Sequence, residues 1–279
     1  MKAKLILGIL LIGLSTHAQV KVSRELVSNQ PEGAVPDTLD YTFCVAAYDY
    51  VCHTTDAKGA PTDVTYPIDL LVGKQVACSM GKARHNGTSM EKFEESQLYI
   101  PVVFQGYPKR NELTQHDVVP FNRFETTAPA DIRWTLHTET DRVCGMPCQR
   151  ATATYGGREW TAWFCSEIPS SAGPWRLCGL PGLILRAEAD GVHSFTCSRL
   201  DFVREPILYT PAEDAVKAKH QRFVKFRNQK MSNPELMSHP ERLISPADVQ
   251  HMEIINGTVM INGIALPKTD TKYVPLELK

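Results

Sequence analysis

From residue 41 onward the chain is patterned by alternation of apolar and polar positions rather than by helical spacing. Tyr41 to Val51 (YTFCVAAYDYV) is rich in aromatic and β-branched residues and predicts a strand, closed by the turn-forming Asp56-Ala57-Lys58-Gly59. Further strands are predicted over Tyr66 to Ser79, Gln97 to Phe104 and Asp131 to His137. Arg158 to Phe164 (REWTAWF) alternates so that Trp160, Ala162 and Phe164 share one face. Leu183 to Glu188 and Val192 to Phe202 predict a hairpin joined at Ala189-Asp190-Gly191, since Asp-Gly suits the left-handed turn of tight hairpins. Helical signals converge once: Thr210 as N-cap, Pro211 at the first helical position and Glu213 completing a capping box. Ala212, Ala215, Val216 and Phe223 then recur at helical spacing until Asn233-Pro234. Met252 to Ile264 predicts a small hairpin turning at Asn256-Gly257. The expected fold is mainly β: a single antiparallel, curved sheet or half-barrel with one helix and an irregular C-terminal tail. Long alternating strands ending in a Pro-Leu-strand-turn-strand unit resemble envelope carriers of lipoproteins, an analogy of fold alone.

The start of the chain breaks this pattern. Lys2 and Lys4 precede the apolar run Leu5 to Leu14, and small residues follow at Ser15, Thr16 and Ala18, the three parts of a secretory signal peptide. The apolar run is too short to span a bilayer, which takes about 20 residues, and nothing later approaches that length. The expected division is a signal peptide over 1–18, a polar mobile lead-in over 19–36, a β-rich domain over 37–205, and a helix and tail over 206–279 on the same domain. The cleaved protein would begin at Gln19, with no transmembrane segment. It is expected in the periplasm, associated with the outer membrane, or outside the cell. Lys and Arg number 30 against 31 Asp and Glu, so charge gives no case for nucleic acid or an anionic membrane surface.

Export changes how the eight cysteines read. Cys44, Cys52, Cys78, Cys144, Cys148, Cys165, Cys178 and Cys197 all follow the leader, and an even number in an exported chain predicts disulfides. Cys165 and Cys178 flank a proline-rich loop that their pairing would close, and Cys44 with Cys78 would bridge two early strands. The spacing of Cys144, Cys148, Cys165 and Cys178 is wide for zinc, so no metal is expected. Nucleophile-elbow, zinc-helix, phosphate-loop and dinucleotide motifs are all missing from the sequence. His53 and His85 are read as solvated turn residues, His220 as a boundary residue of the helix, and Glu94-Glu95 as solvated surface. No catalytic residue and no cofactor is assigned, and the balance leans away from an enzyme.

The stretch Ser171 to Ile184 (SAGPWRLCGLPGLI) sets glycine and proline around bulky apolar residues just before a strand. It reads as a rigid buried crossover that carries Leu180 and Leu183 into the core beside Trp160, Trp163 and Trp175. The same residues, Trp160, Trp163, Trp175, Gly179, Leu180, Pro181, Gly182, Leu183 and Ile184, would alternatively suit contact with an apolar ligand or a partner.

Cys148-Gln149-Arg150-Ala151, Gly157 to Phe164, Glu167-Ile168-Pro169, Gly173-Pro174-Trp175 and Gly179 to Ile184 together resemble the GLPGLI family, exported proteins of Bacteroidota of unknown function. Weaker matches fall at Asp69 to Gly73 and Tyr273 to Leu278. The resemblance implies an envelope setting and carries over no activity. Gly156 stands where the family usually has arginine, and Cys144, Cys165 and Cys178 are additions to its pattern. Cys148 and Cys197 match cysteine positions common in the family, which implies their pairing and leaves Cys52 with Cys144. Three functions stay open: binding of an apolar ligand or envelope protein through a concave sheet, a hydrolase or peptidase built from distant residues, and a purely structural role.

Overall fold

Asp37–Thr55 (β1) runs unbroken for 19 residues because its aromatic and β-branched side chains fit a pleated, half-buried surface. Its even-numbered positions Cys44, Ala46, Tyr48, Tyr50 and Cys52 line one buried face, as a period of two requires. The computed structural model describes residues 36–56, 58–86, 100–119, 122–211, 215–233, 252–255, 258–261, 264–265 and 272–279. The predicted signal peptide, all of the lead-in except Pro36, Glu94-Glu95 and Glu213 lie outside these residues.

The strands that follow are β2 (Pro61–Gly73), β3 (Ala77–Gly81), β4 (Val102–Gln105), β5 (Glu112–Val118), β6 (Arg123–Pro129), β7 (Thr135–Val143), β8 (Met146–Tyr155), β9 (Arg158–Cys165), β10 (Leu183–Ala189), β11 (His193–Asp201), β12 (Pro206–Tyr209) and β13 (Val216–Lys219). They form one open sheet in the order β13-β6-β5-β4-β3-β2-β1-β11-β10-β9-β8-β7, with β12 pairing the start of β1. All neighbours are antiparallel except β13, which lies parallel on β6. Met252–Ile255, Thr258–Ile261 and Ile264–Ala265 (β14 to β16) form a separate antiparallel sheet; β14 pairs β15 as expected of the small hairpin, whose turn residues Asn256-Gly257 lie outside the described residues. Among the described residues the helices are α1 (Lys82–His85) and α2 (His220–Met231). The described residues are thus mainly β, with one helix of length, on an open sheet.

Most apolar burial lies on one face. There Tyr48, Tyr50, Leu70, Trp160, Trp175, Leu183 and Phe195 form a continuous cluster, and Phe223 of α2 packs against it. A smaller cluster, including Val45, Leu71, Cys78, Phe104 and Tyr209, covers the other face.

Four expectations need correction. Tyr66 to Ser79 is two strands, because the chain reverses after Gly73, whose N–H donates to the Val76 carbonyl at 3.0 Å. The Asp40 carboxylate fixes that turn by accepting from the N–H groups of Gln75 (2.7 Å) and Val76 (3.1 Å). Asp131 to Trp134 precede their strand, which begins at Thr135. The helix begins at His220, not beside Thr210, because Val216–Lys219 satisfies the open edge of β6 instead of coiling. Lastly, all eight cysteines are free thiols, so the pairs Cys165–Cys178, Cys148–Cys197, Cys44–Cys78 and Cys52–Cys144 are unbonded. Cys44 and Cys78 belong to the apolar clusters of opposite faces. Strands β9 and β10 separate Cys148 from Cys197, about 14 Å at the usual strand spacing.

Candidate functional site

The loop from Ser171 to Gly182 is pinned at both ends and in the middle. Gln105, buried on β4, donates to the carbonyls of Gly173 (2.6 Å) and Trp175 (2.8 Å) and accepts from the Gly173 N–H (3.3 Å). The Trp175 N–H donates to Ser79 Oγ at 2.9 Å, and Trp175 takes a left-handed φ of 54°. Trp134 Nε1 donates to the Cys178 carbonyl at 2.8 Å. Leu180, Leu183 and Ile184 are buried in the main core, and the Trp160 and Trp175 rings lie 5.7 Å apart within it. Trp163 lies on the outer side, where the Arg186 guanidinium stacks 4.8 Å from its ring. Gly179 (φ 95°) and Pro181 are exposed at the loop's tip. Gly182 has no left-handed φ; a Cβ there would stand 2.4 Å from the Cys165 carbonyl oxygen, so glycine permits a close approach. These nine residues therefore divide between core, outer face and loop tip, and do not converge on an open pocket.

One side chain of this loop points elsewhere. Arg176 is 1% exposed and reaches a buried polar cluster built by the segment Lys272–Lys279. That segment joins no sheet and bends at Leu276, and it is held through its main chain. Arg158 on β9 donates to the carbonyls of Pro275 (Nη2, 2.5 Å) and Leu276 (Nε, 3.1 Å), while its Nη1 bonds Asp190 at 3.0 Å. His193 on β11 meets the Pro275 carbonyl at 3.1 Å through Nε2. A carbonyl only accepts, so Nε2 carries the proton and Nδ1 accepts from the Tyr50 hydroxyl at 2.9 Å. Asn228 on α2 donates to the Glu277 carbonyl at 2.7 Å. Gly156 accepts from the Leu278 N–H at 2.6 Å, and Lys272 pairs with Thr55 and Thr54 at the end of β1. The turn beneath is Gly156-Gly157, both left-handed; a Cβ on Gly156 would come within 2.9 Å of Glu277 Cγ.

Side chains complete the grip. Glu277 accepts from His220 Nε2 at 3.0 and 3.1 Å and faces Arg176 Nε at 3.6 Å. Arg176 also donates to the Tyr155 hydroxyl (2.9 Å) and to Gln115 Oε1 (3.1 Å). Arg227 pairs with Asp117 at 3.1 Å and donates to the Tyr273 hydroxyl. Burial alone would raise the Glu277 carboxyl pKa, but the His220 hydrogen bonds and the nearby Arg176 and Arg227 charges hold it below the usual range. Burial together with the Arg158 charge pushes His193 down to about 4, so it is neutral at physiological pH. A cavity of about 10 Å³, bordered by Trp175, Arg227, Leu276 and Glu277, has room for about one water molecule.

Histidines read as solvated or peripheral are thus partners of carboxylates or carbonyls. His85 is held between Asp69 Oδ2 (2.7 Å) and Glu205 Oε1 (2.9 Å), and its pKa is raised mainly by the Asp69 hydrogen bond. With both ring nitrogens taken by carboxylates, His85 has none left to activate a nucleophile. Cys52 lies directly across from His193 in the β1–β11 ladder and contacts the Tyr50 hydroxyl, but burial pushes its thiol up and Pro275 occupies the ring's other nitrogen. Among the described residues no cluster of histidine, cysteine and carboxylate side chains is arranged to hold a metal ion.

A family model described as a protein of unknown function (Porph_ging) matches residues 156–186. This stretch holds the Gly156-Gly157 turn, Arg158, the three tryptophans of the loop region and Arg176. No curated protein matches the chain. Two solved structures are similar in fold: "Structure of PNGF-II in C2 space group", 13% identical with a TM-score of 0.47, and "Structure of PNGF-II in P21 space group", 14% identical with a TM-score of 0.48. Each likeness covers 80% of this chain and 40% of the other, so the chain spans less than half the length of these structures.

Proposed function

We propose that this chain is an exported, non-enzymatic binding protein of the cell envelope, of the GLPGLI type, whose ligand is a protein segment. The observation that carries this reading is the grip on Lys272–Lys279: carbonyls of Pro275, Leu276 and Glu277 are collected by Arg158, His193 and Asn228, side chains anchored on separate elements. Recognition through main-chain carbonyls tolerates varied sequence, while Tyr273, Leu276 and Glu277 give it three points of selectivity. In this reading the resident segment occupies a groove that an envelope partner with a similar aromatic, aliphatic and acidic spacing would enter. An apolar small molecule has less support, since Trp160, Trp175, Leu180 and Leu183 already fill the main core. Export rests on the leader-like first 18 residues of the sequence.

The test is a titration of fluorescein-labelled KYVPLELK peptide into the full chain and its Leu276→Ala and Glu277→Gln variants, each checked for folding by near-ultraviolet circular dichroism. Unaltered protein should take up little peptide, because its own segment competes at an effective concentration near millimolar. A folded variant should bind saturably and should reject a peptide with alanine at the glutamate position. A folded variant that takes up no peptide overturns the proposal.

A further inference from the structure

One histidine stands between two carboxylates of different elements. His85 closes α1, which packs on β2 and β3. Its Nδ1 lies 2.7 Å from Asp69 Oδ2 on β2, and its Nε2 lies 2.9 Å from Glu205 Oε1. Ionised carboxylates only accept, so both ring nitrogens donate and the ring is an imidazolium. The two bridges are unequal. The Asp69 side chain is 5% exposed, and its Oδ1 is buried with no hydrogen-bond partner among the described residues, so this carboxylate has no second donor to turn to. The Glu205 side chain is 33% exposed and can turn to water. Glu205 belongs to the crossover from β11 to β12, which is also held at Thr42. The Thr42 N–H donates to the Glu205 carbonyl at 2.9 Å, and the Thr42 hydroxyl donates to the Val203 carbonyl at 2.6 Å and accepts from the Glu205 N–H at 3.0 Å. β12 follows at once, and its Ile207 and Tyr209 belong to the smaller apolar cluster.

We propose that His85 is a proton-controlled latch on this crossover: as an imidazolium it ties Glu205 to Asp69, and on losing its proton it keeps Asp69 and releases Glu205. A neutral imidazole has a single N–H. That N–H stays with Asp69, whose burial leaves it no alternative. The lone pair of Nε2 then faces the Glu205 carboxylate, and attraction turns to repulsion. Other charged groups nearby do not take over the bridge. Arg204, beside Glu205, stacks 3.9 Å from the Tyr41 ring. β3 brings Cys78, which burial keeps as a neutral thiol. Lys82 and Arg84 on α1 carry the same sign as the charged ring. The Asp69 hydrogen bond, aided by the Glu205 charge, outweighs burial and raises the His85 pKa. The latch therefore contributes fully below about pH 6.5, the ordinary histidine value, and is lost as pH rises through the raised one.

The test follows the His85 ring by nuclear magnetic resonance in the full chain from about pH 5 to about pH 9, a range that brackets the ordinary histidine value. Its signals are assigned by their loss in His85→Gln. Hydrogen exchange of the Thr42 and Glu205 amides is measured over the same range and expressed as protection factors. Protection of both should fall about tenfold as His85 loses its proton, the worth of one hydrogen bond between charged groups. In Glu205→Gln the fall should vanish, because the side-chain amide donates to the unprotonated Nε2. Protection that stays level while His85 of the unaltered protein titrates overturns the proposal, whether or not the variants fold. So does a folded Glu205→Gln protein with the same fall as the parent.

Discussion

Replacing Glu277 by alanine probes the polar cluster where it is most exposed to failure. The carboxylate accepts two contacts from His220 Nε2 and faces Arg176, itself 1% exposed. Removing it leaves the guanidinium with Tyr155 and Gln115 as neutral partners, and orphans the His220 N–H. Breaking a buried ion pair from one side costs roughly 3–5 kcal/mol, since the remaining charge stays desolvated. For a domain of this size each kcal/mol lowers Tm by about 2–4 °C, so the low end of that cost corresponds to a fall of roughly 6–12 °C. Differential scanning calorimetry reads the shift. Hydrogen exchange should show the Leu278 amide, bonded to the Gly156 carbonyl, opening well before the β1 amides. Combining Arg176→Leu with Glu277→Leu should be milder than the sum of the single changes by about 1–3 kcal/mol. A Glu277→Ala protein melting within about 2 °C of the original, or strict additivity in the double variant, would refute the reasoning.

Acid should weaken the fold through His193. Its folded pKa, near 4, lies below its ordinary value, so the unfolded chain binds the extra proton between about 4 and 6.5; stability rises with pH across that window and is lost as pH falls through it. The amplitude is about 3 kcal/mol, and denaturant titrations of His193→Gln, which keeps a donor for Pro275, should show a flatter profile there; an unchanged profile counts against the assignment. At the motif, Gly182→Ala should cost about 1–3 kcal/mol, because the backbone carbonyl of Cys165 at 2.4 Å cannot swing aside as a side chain would. Leu183→Ala should cost about 2–5 kcal/mol, and thermal melts showing either variant as stable as the parent would reject an architectural role for this loop.

What was legible in the sequence was whatever a period of two or a turn dipeptide could carry. The face shared by Trp160, Ala162 and Phe164 is buried, and Asp190-Gly191, both left-handed, joins β10 to β11 as the Asp-Gly signal requires. The helix starts at His220 rather than at Thr210 because capping chemistry is local, whereas β6 offers unpaired backbone groups that no local signal announces. Strand β8 and the part of β7 beyond His137 carry no strand signal for a related reason. β7 is an edge strand with mostly exposed positions, so nothing forces its sequence to alternate.

The groove around Lys272–Lys279 was illegible for a deeper reason. Its parts are Arg158, Arg176, His193, His220, Asn228 and Glu277, brought together by the strand order and by α2, and no spacing in the sequence encodes that meeting. One signal was nevertheless present. Arg176 is a lone charge inside the apolar run Gly173-Pro-Trp-Arg-Leu-Cys, and Glu277 is a lone charge between Leu276 and Leu278. A charge buried without a partner is too costly to keep. Two such charges of opposite sign, each isolated among residues bound for the core, are therefore candidates to meet. The structure pairs them at 3.6 Å, across 101 positions of sequence, and so makes the motif loop one wall of the groove rather than packing alone.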